Sequence, residues 1–262
     1  MEVLDVEIPF GIAHRGSRIL WPENTMVAFA GAVELWYRWL ETDLHLTSDG
    51  VLVCLHDDQL DRTTDHTGPV WERTWAELDR VDAGYRHAAG DDFPHRGSGV
   101  RIPALEEVVT SFPALRLVLE LKQDGLAGPL WHLIDRLGLH DRVVVGSFSD
   151  RRLARFRALA RGTVATSAGP IRSVVALVGA FLGRAPGLAD AVQWPEVYGP
   201  LHPVTPRTVR GLHRGGFQVH VWTVDDPGEM HRFYDMGVDA LISDRPDLLR
   251  DVLRSRGAWG ER

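Results

Sequence analysis

The sequence predicts an α/β fold, a closed TIM-like (β/α)8 barrel with a small inserted subdomain, and three observations carry that reading. Strand-like apolar runs alternate with helix-like segments along most of the chain. The length, 262 residues, suits one large α/β barrel or two ordinary domains. Polar and charged residues recur at the ends of the strand-like runs, where a barrel gathers its functional groups.

Taken in order, "GIAH" (11–14) precedes the helical "NTMVAFAGAVELW" (24–36), with Pro22 and Asn24 of "PENT" suited to a helix start. "WLETDLHL" (39–46) and "VLVCLHD" (51–57) flank "TSDG", a polar turn containing Asp49-Gly50. Further strand-like runs are "LRLVLELK" (115–122), "DRVVVGSF" (141–148), "GTVATS" (162–167), "DAVQW" (190–194), "FQVHVWTV" (217–224) and "DALIS" (239–243). Helical segments at 126–138, 149–161, 205–215 and 227–237 lie between them. These make nine strand candidates for eight barrel staves, so one of the two runs around "TSDG" is a hairpin arm; the sequence does not say which. Residues 58–101 break the rhythm, being polar, rich in Gly and Asp, and holding at most one short helix near 74–80. A loop of that length is functional or a subdomain, and following His56-Asp57 it is expected over the face where that histidine sits. The domain reading is one catalytic barrel over 1–262 with 58–101 inserted in it.

Composition narrows the partners. The chain is 44% hydrophobic and 25% charged with a net charge of -7, and no basic run suggests a nucleic-acid face. The one cysteine, Cys54, lies inside an apolar run and reads as a small buried residue. A lone cysteine forms no internal disulfide, which suits a reducing compartment, and the start of the chain, carrying Glu2, Asp5 and Glu7, lacks a signal-peptide pattern. Cytoplasmic localisation is the expectation. The apolar run "SVVALVGAFLG" (173–183) falls short of the ~20 residues a membrane span needs, so stable insertion is not expected. It reads either as a barrel helix with a buried stripe or as an apolar lid or interfacial patch making transient lipid contact. Nothing in the sequence sets an oligomeric state.

In a barrel, strand C-terminal ends point at the active face. His14 ends the first strand, Glu41 and Asp43 lie near the end of the second, His56 follows "VLVCL", Glu120 and Lys122 end "LRLVLELK", and Trp222 nears the end of a late strand. Residues two apart in a strand share a face at about 6.6 Å. Three carboxylates aimed at one mouth repel: two like charges at about 4 Å cost on the order of 4 kcal/mol at an effective dielectric near 20. A hard divalent cation with oxygen ligands, Mg²⁺ or Ca²⁺, resolves that conflict. With an oxygen-rich site beside them, His14 and His56 suit general acid and base better than zinc ligation. Arg15 and Lys122 add fixed positive charge for an anionic substrate, so the residues suggest metal-assisted phosphoryl chemistry. Gly16 is expected to let the chain turn closely beneath a ligand. Among the other histidines His45, two beyond Asp43, is the one best placed to reach the rim, and Trp194 is a further candidate for lining the pocket.

An ordered series of motifs, "HRG" (14–16), "PENT" (22–25), "ETDLHLTSDG" (41–50), "HDDQLDRTT" (56–64), "IPALEEV" (102–108), "LELK" (119–122), "VWTV" (221–224) and "SDRPD" (243–247), resembles the glycerophosphodiester phosphodiesterase family to about residue 250. The resemblance implies hydrolysis of glycerophosphodiesters to sn-glycerol 3-phosphate and an alcohol with a divalent cation. It implies that His14 and His56 are catalytic, that Glu41, Asp43 and Glu120 bind metal, and that Arg15 and Lys122 contact phosphate. Trp222 would pack on the glycerol, while Asn24 and Glu23 would support the site. Ser243 stands where the family more often has threonine, which keeps the hydroxyl. Competing readings are a lysophospholipase D-like activity on acylated substrates and an inactive barrel serving as a binding protein. A glycosidase would use paired carboxylates but would not need two strand-end histidines, an arginine and a third carboxylate.

Overall fold

Successive residues of a strand face opposite sides, and in this chain that alternation separates a barrel interior from a barrel–helix interface. The computed structural model describes residues 2–182, 189–197 and 202–260. Its strands are β1 (Phe10–His14), β2 (Trp39–Leu46), β3 (Leu52–Cys54), β4 (Arg116–Leu121), β5 (Val143–Gly146), β6 (Ala165–Thr166), β7 (Ala191–Pro195), β8 (Gln218–Trp222) and β9 (Ala240–Ser243). Eight of them lie side by side in the order β6-β5-β4-β2-β1-β9-β8-β7, and their pairings are parallel. A bridge between Ser167 and Ala191, with Ala168 N–H donating to the Ala191 carbonyl at 2.8 Å, brings the two ends together into a nearly closed barrel. The ninth strand, β3, pairs antiparallel with β2, setting Cys54 opposite Leu44. Of the two runs around "TSDG", 39–46 is therefore the stave and β3 the hairpin arm.

Helices α1 (Met26–Glu34), α3 (Leu105–Ser111), α4 (Ala127–Leu137), α5 (Asp150–Ala160), α6 (Pro170–Phe181), α7 (Pro206–Arg214), α8 (Pro227–Asp235) and α9 (Pro246–Ser255) follow the strands, and α2 (Trp75–Leu78) lies within the insertion. Two of them, α3 and α9, fall outside the segments named above. α9 opens on Pro246 and buries Leu249, Val252 and Leu253, the i, i+3, i+4 spacing of one helix face. Among the described residues no helix is long and apolar enough to cross a membrane.

Two apolar layers result. Ala13, Leu40, Leu44, Leu119, Val219 and Val221 belong to a large cluster shared with the helices. Phe10, Ile12, Trp39, Val118, Val144 and Ile242 form a second cluster from the inward-facing rows of the strands. Those same rows continue upward into His14 on β1, Glu41 and Asp43 on β2, and Glu120 on β4, so an apolar floor supports a charged top. A third cluster, including Leu60, Val70, Leu78, Val81 and Ile102, packs residues 58–101 onto Val53 and Leu55 beside the hairpin. Cys54 is fully buried, and burial pushes its thiol to about 12, so it is an inert core residue. The run 173–183 forms most of α6, with Gly183 and Arg184 outside the described residues. Its large side chains do not form a buried stripe: α6 fully buries only Ala176, Gly179 and Ala180.

Candidate active site

Strand register assembles the charged cluster. His14 lies opposite Glu41 across β1 and β2, and Asp43 lies opposite Glu120 across β2 and β4. Glu41 and Asp43 are almost fully buried and Glu120 partly so, and carboxylate oxygens of all three lie within 4.8 Å of one another. Cations flank the cluster. Arg15 Nε stands 3.1 Å from Asp43 Oδ2, while Lys122 Nζ lies 3.1 Å from Asp43 Oδ1 and 3.2 Å from Glu120 Oε2. Burial opposes ionisation of Asp43, yet Arg15 and Lys122 hold its pKa below the ordinary carboxylate range. Burial, joined by the Asp43 charge, instead raises Glu41 to about 8, and burial raises Glu120 despite Lys122. Glu41 Oε2 is buried without a hydrogen-bond partner, its neighbour His14 Nε2 standing 3.7 Å away. A buried, unpartnered carboxylate oxygen beside two further carboxylates is a donor set that fits a hard divalent cation. Glu41, Asp43 and Glu120 could hold one.

Each candidate acid–base histidine is backed by a carboxylate at Nδ1. His14 Nδ1 lies 2.8 Å from Asp244 Oδ1, and His56 Nδ1 lies 2.5 Å from Asp57 Oδ1. Such a bond fixes the ring and leaves Nε2 for chemistry. Burial opposes protonation of His14, but Asp244 and Glu41 raise its pKa, whereas burial lowers that of His56. Asp244 is itself held by Arg18 through its side chain and by Asp225, which accepts its backbone N–H at 2.8 Å. On the other side, Arg62 of the insertion donates to both Glu23 oxygens at 2.7 and 2.8 Å and to Asp57 Oδ2 at 2.6 Å. Glu23 also accepts from Arg15 at 3.0 Å. Asn24 donates to Asp43 Oδ2 at 3.0 Å and accepts from Thr42 at 2.7 Å. At the mouth the Trp222 and Phe148 rings meet edge to face at 5.6 Å, and Lys122 Nζ lies 6.0 Å from the Phe148 ring.

Comparison with known proteins identifies the relatives of this barrel. The model of the glycerophosphoryl diester phosphodiesterase family matches residues 14–248. The chain belongs to this family. A probable glycerophosphodiester phosphodiesterase 2 of Mycobacterium tuberculosis is 39% identical over 255 residues, covering 95% of this chain and 92% of that protein. A solved protein of Silicibacter pomeroyi named "putative glycerophosphoryl diester phosphodiesterase" superposes with a TM-score of 0.77 at 26% identity, covering 95% of this chain and 94% of that one. An Oleispira antarctica phosphodiesterase, solved with the product sn-glycerol-3-phosphate, shares the fold at a TM-score of 0.73 and 24% identity, over 94% of this chain and 97% of that one.

Within this glycerophosphoryl diester phosphodiesterase fold, several positions differ from the sequence reading for physical reasons. The N-cap of α1 is Thr25, whose hydroxyl accepts the Ala28 N–H at 3.2 Å, and not Asn24. Asn24 sits at φ 56°, and its amide serves Asp43 instead. Gly16 is required by a close helix: at φ 81° a Cβ there would stand 2.6 Å from Ala28 Cβ. Trp194 does not line the mouth, because its alternation on β7 turns it into the barrel–helix cluster. His45 lies buried behind the rim, its ring 2.9 Å from Gln123 Oε1 and 3.3 Å from the His56 carbonyl, so it supports the segment carrying His56. The residues missed outright are Asp57, Arg62, Asp244 and Phe148. The first three stand inside "HDDQLDRTT" and "SDRPD", so the signal was position within a motif; Phe148 carried none.

Proposed function

We propose that this chain hydrolyses glycerophosphodiesters to sn-glycerol 3-phosphate and an alcohol, with His14 and His56 moving the protons. The carrying observation is the pair of imidazoles, each backed by a carboxylate at Nδ1, placed with a buried three-carboxylate cluster and two cations on one barrel rim. One histidine accepts the proton of the attacking hydroxyl as its oxygen bonds to phosphorus: attack by water gives sn-glycerol 3-phosphate directly, and attack by the glycerol 2-hydroxyl gives a cyclic phosphodiester that water then opens to the same product. The other donates a proton to the departing alkoxide as the phosphorus–oxygen ester bond breaks. Arg15 and Lys122 face the phosphate and balance charge that grows on its oxygens. Glu41, Asp43 and Glu120 hold Mg²⁺ or Ca²⁺, which when bound supplies Lewis-acid stabilisation of those oxygens. Trp222, with Phe148, packs on the glycerol, while Glu23 and Asn24 hold Arg15 and Asp43 in place. The product found with the Oleispira antarctica protein is the one this reading expects here.

The catalytic unit is a single barrel domain, and residues 58–101 form a small subdomain inserted in it, a reading supported by their separate apolar cluster. Its Arg62 ties it to Glu23 and Asp57, the groups that hold Arg15 and His56. The lone, buried Cys54 supports a cytoplasmic setting. A lysophospholipid is the second substrate reading, favoured by one observation: Phe148, beside Trp222 at the mouth, is 61% exposed, an apolar surface that suits an acyl chain. The decisive experiment measures alcohol release from glycerophosphocholine, glycerophosphoethanolamine and a lysophospholipid. His14→Ala and His56→Ala are each expected to lower kcat/KM at least about 100-fold. Near wild-type turnover in both variants overturns the assignment, and turnover of the lysophospholipid alone favours the second substrate.

A further inference from the structure

Helix α6 inverts the pattern its neighbours follow. α5 turns Leu153 and Phe156 into the core, and α9 does the same with Leu249 and Leu253. α6 buries only small residues fully, and its Ile171, Val174, Val175, Val178, Phe181 and Leu182 are exposed at 41% to 75%. Ile171, Val174, Val178 and Phe181 fall on a helical repeat, so they form one stripe along the helix. The fold explains the small inward residues: a Cβ on Gly211 of α7 would stand 2.5 Å from the Ala180 carbonyl, so the two helices pack closely. It does not explain the outward ones, for a barrel helix ordinarily faces water with polar side chains.

Positive charge borders the stripe along α7. From Asp150 to Leu182, and through α7, the chain has nine arginines and one acid, Asp150, although its net charge is -7; Arg151, Arg152 and Arg155 act on Asp124 toward α4, and the three of α7 adjoin α6. Arg161, just past α5, and Arg207, Arg210 and Arg214 on α7 are exposed. The last three recur at i, i+3, i+7 and so border α6 as a row. Arg207 touches the stripe, donating to the Phe181 carbonyl at 3.1 Å with its guanidinium 5.5 Å from the Phe181 ring. Asp150 is occupied, accepting the Ile171 N–H at 2.8 Å at the start of α6. The stripe begins at the catalytic end of the barrel, since α6 leaves the C-terminal end of β6 there.

From this juxtaposition we propose that α6 docks the protein on an anionic phospholipid bilayer, its apolar stripe in the interface and the arginine row of α7 on the headgroups. A helix of 12 residues spans about 18 Å and is too short to cross, so it lies along the surface. A second copy of this chain is a poor occupant, because a self-complementary contact would set arginine rows against each other. The docking does not depend on the catalytic reading, and its test needs no turnover. Flotation with phosphatidylcholine vesicles, and with vesicles carrying 25% phosphatidylglycerol, is expected to show at least about tenfold greater binding to the anionic set, weakened by high salt. Val174→Asp with Val178→Asp should remove that binding, and Arg210→Gln and Arg214→Gln should each weaken it about fivefold. Both valines are exposed, so thermal melting of the variant should match wild type, which separates lost docking from lost folding. Equal binding to both vesicle types, or anionic binding that the aspartates leave intact, overturns the proposal. So does a dimer in sedimentation velocity that the aspartates dissolve, which would give the face to a second copy.

Discussion

Arg62 offers the sharpest test of how the insertion serves the site. Its guanidinium is shared between Glu23, which accepts from Arg15, and Asp57, which holds His56. Replacing it with alanine severs three bonds of 2.6 to 2.8 Å at once. Bonds of this kind to charged groups are worth about 1.5–3 kcal/mol each when buried. The Arg62 side chain is 45% exposed, however, so solvent screens the set and the stability loss should total only about 1–2 kcal/mol. For a chain of this size that lowers Tm by about 2–6 °C. The kinetic loss should be larger in relative terms, because Arg15 and His56 both lose their orientation: about 10- to 100-fold in kcat/KM, or roughly 1.4–2.7 kcal/mol of transition-state stabilisation. Arg62→Lys should recover little of it, since one ammonium cannot bond two carboxylates in a fork. Release of sn-glycerol 3-phosphate from glycerophosphocholine, read beside thermal melts, separates the two effects. An Arg62→Ala enzyme that melts lower yet turns over within twofold of wild type refutes the positioning role and leaves Arg62 a structural tie.

The remaining expectations follow from the same geometry. Asp244→Asn keeps the shape behind His14 but removes the carboxylate at Nδ1, and kcat should fall by about 10²- to 10⁴-fold with little change in Tm; an unchanged kcat would separate Asp244 from catalysis. Glu41→Gln or Glu120→Gln should weaken binding of Mg²⁺ or Ca²⁺ at least about tenfold by calorimetry, and chelator should abolish turnover, whereas full turnover in chelator contradicts the cation site. His220 is fully buried, and burial lowers its pKa to about 4. Because the unfolded chain takes up that proton first, stability should be full above about pH 6.5, fall as pH drops through the window to 4, and lose about 3 kcal/mol there. Denaturant melts at pH 7 and 4.5 should show that fall shrinking in His220→Gln, and an equal fall in both proteins would place the acid sensitivity elsewhere.

What the sequence made legible was whatever obeys a local period. β2 coincides with its strand-like run, "WLETDLHL", because alternation writes its two faces directly into the residues. The inward row Trp39, Glu41, Asp43 is therefore readable before any fold is known. The hairpin was not resolvable, since "VLVCLHD" is as apolar as a true stave; only the antiparallel pairing of Cys54 with Leu44 distinguishes it. Trp194 was ambiguous for a related reason. A tryptophan near a strand end has two faces open to it, and only the register of β7 against β8 decides between them. α6 inverts the expected order because its inward side chains are limited by the approach of α7 at Gly211, a contact that no short window of sequence contains.

The carboxylates behind the two histidines expose a different limit. Asp57 follows His56 directly, so its role is local, whereas Asp244 reaches His14 from the far end of the chain. That long pairing exists because β1 and β9 are neighbours in the barrel, with Ala13 opposite Ser243, which sets the next residue of each strand at the same rim. Ser243 and the backbone N–H of Asp244 both donate to Asp225 at 2.8 Å, so the loop after β8 fixes the loop after β9. The hydroxyl shared by serine and threonine at 243 is thus used structurally: it braces the turn that aims Asp244 at His14. Placement of β9 between β1 and β8 and orientation of His14 are consequently one event, since the strand that joins β1 to β8 also delivers the carboxylate that His14 needs.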